Sequence, residues 1–164
     1  MTSHRSILVN VAQAIQADDA IALYCYRHFG RALAINVGAY ANGVPDEDAS
    51  PFLWIHAADD ENESVAADET FTVRLVVAGC VKGADGEQYI ENVVTQRTAS
   101  VNGLTINGGN VVVEDLRDMI IETMRHANAG AYLRRVRREE NDIAHYPLEW
   151  AEIYAEYEEP ETLS

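Results

Sequence analysis

From Phe71 to Val77 the chain alternates: Phe71, Val73, Leu75 and Val77 are apolar, and Thr72 and Arg74 fall between them. A period of two belongs to a β-strand with one face buried and the other toward water. Such a strand is stable only when its apolar face is covered by a second layer. This segment therefore constrains the fold more than any other, because it demands both neighbouring strands and a cover.

The cover is legible at both ends of the chain. Ser3 is placed to cap a first helix, and Ile7, Leu8, Val11 and Ile15 follow at helical spacing. Asp18-Asp19 reads as a break and a fresh N-cap. Ile21, Tyr24, Cys25, His28 and Phe29 then repeat at three and four residues, and Gly30 stands where a C′ glycine ends a helix. A strand competes for residues 20–26, because aromatic residues favour strands. The best helical pattern comes later. Val112, Leu116, Met119, Ile120 and Met124 form the apolar stripe, and Glu114, Asp115, Arg117, Asp118, Glu122 and Arg125 are expected to face water. Asn128-Ala129-Gly130 ends it.

The neighbouring strands are expected at Leu33–Val37, at Phe52–His56 after Pro51, more weakly from Tyr89 to Thr95, from Tyr132 to Arg138, and from Trp150 to Tyr157. Residues 38–51 read as a loop, and Asn102-Gly103 is a hairpin dipeptide. Helices at the start, strands, a helix and two final strands point to an α+β fold. Its sheet is mixed, mainly antiparallel, and flanked by two or three helices. At 164 residues the chain fits one domain, spanning 1–164, with no linker to divide it. A chain of this length buries roughly 70% of its unfolded surface and needs neither disulfide nor metal to fold. Cys25 and Cys80 are read as buried free thiols. The first residues carry no leader pattern and no apolar run reaches membrane-spanning length, so the expected compartment is the cytoplasm.

Motifs for chemistry are missing from the sequence. His4, His28, His56, His126 and His145 stand in no zinc spacing, and no phosphate-loop or nucleophile-elbow pattern occurs. Carboxylates are too many for any pair to stand out; Glu149 beside Trp150 comes nearest to an acid in an apolar setting. The expectation is a protein that is not an enzyme and uses no cofactor.

Charge carries more. The chain has 27 acidic and 12 basic residues, a formal net charge of −15, and every base but Lys82 is an arginine. That balance excludes binding to a nucleic-acid backbone or an anionic membrane, both of which need a cationic face. Within it lies one exception, Arg134-Arg135-Val136-Arg137-Arg138, followed from residue 139 onward by nine acids and no Lys or Arg. On a regular strand Arg134 and Arg138 share one face, and Arg135 and Arg137 the other. Beside an acidic strand this stripe allows an internal ion-pair ladder or pairing between subunits. Arginine favours an interface, because its fork binds carboxylates bidentately. A second charged feature is the acidic run Asp59, Asp60, Glu61, Glu63, Asp68 and Glu69.

The order of these segments resembles the tail-terminator and tail-completion proteins of long-tailed bacteriophages. The resemblance covers most of the chain and rests on order rather than on any single motif. It is carried by the helical region running into Tyr26-Arg27-His28-Phe29-Gly30-Arg31-Ala32, by Ser50-Pro51-Phe52-Leu53-Trp54-Ile55 and the acidic run after it, by Phe71–Val77, by the late helix, and by Tyr146-Pro147-Leu148-Glu149-Trp150-Ala151-Glu152-Ile153. It implies a homohexameric ring in the virion that caps the tail tube, ends its polymerisation and presents a surface to head–tail connector proteins, after assembly in the host cytoplasm. The implied partners are the chain itself, the tail-tube protein and the connector, with DNA passing through the lumen unbound. The interface candidates are Arg134, Arg135, Arg137 and Arg138 against Glu152, Glu156, Glu158 and Glu159. The acidic run Asp59–Glu69 is the candidate for a lumen-facing or tube-facing loop. Another neck protein is the near alternative. A DNA-mimicking inhibitor is the alternative of a different class, favoured by the charge and weakened by the arginine stripe.

Overall fold

The computed structural model describes residues 4–38, 50–58, 70–79, 98–101, 104–139 and 149–158. Three helices, α1 (His4–Gln16), α2 (Asp19–Phe29) and α3 (Gly108–His126), accompany seven strands: β1 (Ala34–Val37), β2 (Phe52–Ala57), β3 (Thr70–Gly79), β4 (Thr98–Val101), β5 (Leu104–Asn107), β6 (Tyr132–Glu139) and β7 (Glu149–Glu158). Five strands form one sheet in the order β1-β2-β3-β7-β6, and β4 and β5 form a separate pair. Only β1 and β2 run parallel in the large sheet; every other neighbour is antiparallel. The fold is α+β with a mainly antiparallel mixed sheet flanked by helices.

The competing strand at residues 20–26 loses because both ends of α2 are fixed locally. The Asp18 carboxylate accepts from the backbone N–H groups of Ala20 and Ile21 at 2.9 and 3.2 Å, and it also accepts from the Thr123 hydroxyl on α3. Gly30 closes the other end in the left-handed region, φ 76°, with its N–H bonded to the Tyr26 carbonyl. The Thr123 bond is the first cause of the lowered Asp18 pKa, so one side chain both starts α2 and ties it to α3. Two further bonds fasten the helical layer: Tyr24 Oη donates to the Val112 carbonyl at 2.8 Å, and Asn10 Nδ2 to the Ala129 carbonyl at 3.1 Å.

All three helices lie on one face of the sheet. Ile7, Val11 and Ile15 of α1, Ile21, Cys25 and Phe29 of α2, and Val112, Leu116, Ile120 and Met124 of α3 share a buried cluster with Leu53, Ile55, Phe71, Val73, Leu75, Val77, Ile153, Ala155 and Tyr157 of the strands. Each fully buried Ile or Leu contributes about 1.5–3 kcal/mol. Phe29 packs so closely on β3 that a Cβ at Gly79 would meet its ring at 2.5 Å. Cys25 is a free thiol buried in this cluster, and burial pushes its pKa up to about 12.

Two details depart from expectation. Helix α3 begins at Gly108, directly after β5 and four residues ahead of Val112, the first residue of its expected apolar stripe. Arg117, expected in water, is only 5% exposed, and its Nη1 donates to the Glu139 carbonyl at 3.3 Å. The apolar stripe of α3 is wider than its best-patterned residues, and Arg117 sits at its border where a strand end supplies an acceptor. The weaker strand expected from Tyr89 to Thr95, the dipeptide Asn102-Gly103 and Cys80 lie outside the described residues. β4 and β5 do pair antiparallel on either side of that dipeptide, Val101 opposite Leu104. Among the described residues, no helix is long and apolar enough to cross a membrane.

Candidate protein interface

The second face of the sheet carries the charge. Its register sets side chains in rows across the strands. Phe52, Ala78 and Trp150 form the first row, and Trp54, Val76, Glu152 and Glu139 the next. His56, Arg74, Tyr154 and Arg137 follow, then Thr72, Glu156 and Arg135, and last Thr70, Glu158 and Tyr132. One end of this face is therefore apolar and aromatic, and the other is a lattice of arginine, glutamate and tyrosine.

At the aromatic end Phe52 and Ala78 are fully buried, with Trp54 and Trp150 packed against them. Phe52 stacks on Trp54 at 5.7 Å between centroids, and Trp150 meets Trp54 edge-on at 5.2 Å, geometries that aromatic quadrupoles favour. At the charged end Arg74 grips Glu152 with two bonds, Nη2 to Oε1 at 2.6 Å and Nε to Oε2 at 3.3 Å. Tyr154 lies between two arginines contributed by the strands on either side of it. The Arg74 guanidinium is 5.8 Å from its ring centroid and that of Arg137 is 5.0 Å away.

The arginine stripe falls on β6, the outermost strand of the sheet among the described residues, and a β-bulge between Leu133 and Arg135 breaks its alternation. Leu133 and Val136, three apart, both pack on the helix-covered core. Arg134 is the extra residue, and it reaches Glu158 at 3.8 Å. Arg138 turns the other way and pairs with Asp118 of α3 at 2.8 Å. The expectation that Arg134 and Arg138 share a face is thus overturned by the bulge, which shifts the phase of the strand by one residue. Arg135 and Arg137 do share a face, and both line one cavity. Arg137 also pairs with Glu139 at 2.6 Å.

Of the ladder that the charge pattern allowed between stripe and acidic strand, one pair forms among the described residues, Arg134 with Glu158; Glu152 is held instead by Arg74 of β3. Glu156 stands opposite Arg135 in register, yet the two make no ion pair with each other or with any other described residue. Between their row and the Arg74–Tyr154–Arg137 row lies a shallow cavity of about 210 Å³, lined by Thr72, Arg135, Arg137, Tyr154 and Glu156. Sequence reasoning missed Thr72 and Tyr154. The signal was present in the strand alternation, because Thr72 and Tyr154 are polar members of half-buried strands, β3 and β7, and β7 abuts the stripe. Glu159 and the acidic run Asp59, Asp60, Glu61, Glu63, Asp68 and Glu69 lie outside the described residues.

The scan against protein-family models and the search of curated proteins find no match for this chain.

Proposed function

We propose that this chain is a virion structural protein that forms a ring on the end of a phage tail tube, ends tube polymerisation and offers the surface to which the head is joined. The observation that carries this reading is the placement of the arginine stripe on the outermost of the described strands, in a sheet whose three described helices all cover the other face. A strand at a sheet margin presents both side chains and backbone to a neighbour. A ring requires two different surfaces of one subunit to meet around a closed rotation, and an arginine margin against a chain with 27 acids meets that requirement. The same acid excess keeps a lumen inert toward DNA, because phosphates find no counter-charge on it. The run from Asp59 to Glu69 is the segment proposed to line that lumen or to face the tube. The location is accordingly the virion neck, with assembly in the host cytoplasm.

The test is co-assembly with purified tail-tube protein, viewed by negative-stain electron microscopy. The expected result is a ring on tube ends and a narrowed length distribution as the chain is added. A protein that binds the tube without limiting its length would be another neck component. Tubes that grow unaltered, with no chain on their ends, would refute the reading.

A further inference from the structure

The four arginines of β6 are not equivalent. Arg134 reaches Glu158, Arg137 reaches Glu139 and stacks on Tyr154, and Arg138 reaches Asp118. Arg135 makes no ion pair with any described residue, although Glu156 stands opposite it in the strand register. Its side chain instead forms a wall of the 210 Å³ cavity, where Thr72 and Tyr154 add hydroxyl groups. An arginine fork unpaired among the described residues, beside two hydroxyls, is suited to receive a carboxylate.

We infer that this cavity is the point at which one subunit holds the next, and that its occupant is a carboxylate from the acidic stretch that follows β7 in a second copy, Glu159 or Glu161. Charge complementarity selects the occupant. Residues 156–164 carry four glutamates and no base, and the cavity holds the one stripe arginine left unpaired among the described residues. The inference rests on the ring reading only in taking a second copy as the partner. It sharpens the interface from four arginines to one: Arg134, Arg137 and Arg138 serve the fold of their own subunit, and Arg135 serves the contact.

The test uses the full-length chain and a labelled peptide of residues 156–164 as the probe, read by fluorescence anisotropy at low salt. Saturable binding is expected, weakened at least tenfold by Arg135→Glu and by Arg135→Gln, and changed less than twofold by Arg134→Gln. A peptide with its glutamates replaced by glutamine should not bind. Thermal melts monitored by circular dichroism check that the variants remain folded. Since Arg135 lies on an exposed margin, Arg135→Gln is expected to melt with the wild type. Absence of saturable binding to the wild type, or equal binding by the Arg135 variants, overturns the inference. The two readings fail separately. Tube-capping rings that survive Arg135→Glu would remove this contact and leave the ring. Peptide binding through Arg135 in a protein that never caps tubes would keep the contact and remove the ring.

Discussion

The two faces of the sheet obey different rules. The helix-covered face is built from Leu53, Ile55, Val73, Leu75, Val77 and Ile153, whose burial is set by period and volume. The opposite face is built from Trp54, Arg74, Trp150, Glu152, Tyr154 and Arg137, whose placement is set by pairs across strands. A core of aliphatic side chains tolerates exchange between residues of similar size. A lattice of forks, rings and carboxylates does not, because removing one member leaves another without its partner. The difference teaches where specificity resides in this molecule: the covered face supplies stability, and the charged face supplies identity.

Paired substitutions on β3 break or sharpen this contrast. Leu75→Ala on the covered face should cost about 2–5 kcal/mol, the transfer loss plus the cavity left behind. Arg74→Ala, one residue away on the other face, should cost about 1–3 kcal/mol, because Glu152 is only 12% exposed and loses both of its bonds. Urea titration measures both. Equal costs would mean that the charged face is as much a core as the covered one.

A smaller effect comes from His28, which is buried on α2 against Tyr24, with ring centroids 4.2 Å apart. Burial, and then the neighbouring Arg27 charge, lower its pKa from the ordinary 6.5. The unfolded chain therefore takes up a proton first as pH falls. Stability contributed by neutral His28 is complete above pH 6.5 and is lost as pH falls toward the lower folded value. Urea midpoints measured from pH 7.5 to 5 should fall for the wild type and should fall less for His28→Phe. Parallel profiles would place the acid sensitivity elsewhere.

Much of this fold was legible because it depends on local spacing. The alternation from Phe71 to Val77 became β3, and Asp18 and Gly30 delimited α2 against the strand propensity of its aromatics. What was not legible depends on partners distant in sequence. The bulge at Arg134 follows from pairing with β7, and its only trace in the sequence is that Leu133 and Val136, both apolar, stand three apart. Arg117 is buried because α3 lies against the end of β6, whose Glu139 carbonyl accepts from it. The stripe itself was evident, but which arginines it commits to its own subunit was not. Strand period puts Glu139 beside Arg137, but Asp118 and Glu158 are distant in sequence and come within reach of Arg138 and Arg134 only through the fold.

The central claim is that this protein meets others through the margin of its sheet at β6 and the adjoining charged face. Hydrogen exchange of the full chain, compared between dilute protein and protein bound to tail-tube ends, tests it most directly. The account predicts new protection across Tyr132–Glu139 and at the end of β7 on assembly, with α1 and α2 little changed. Protection confined to the outer surfaces of α1 and α2, with β6 exchanging as in the free chain, would contradict it.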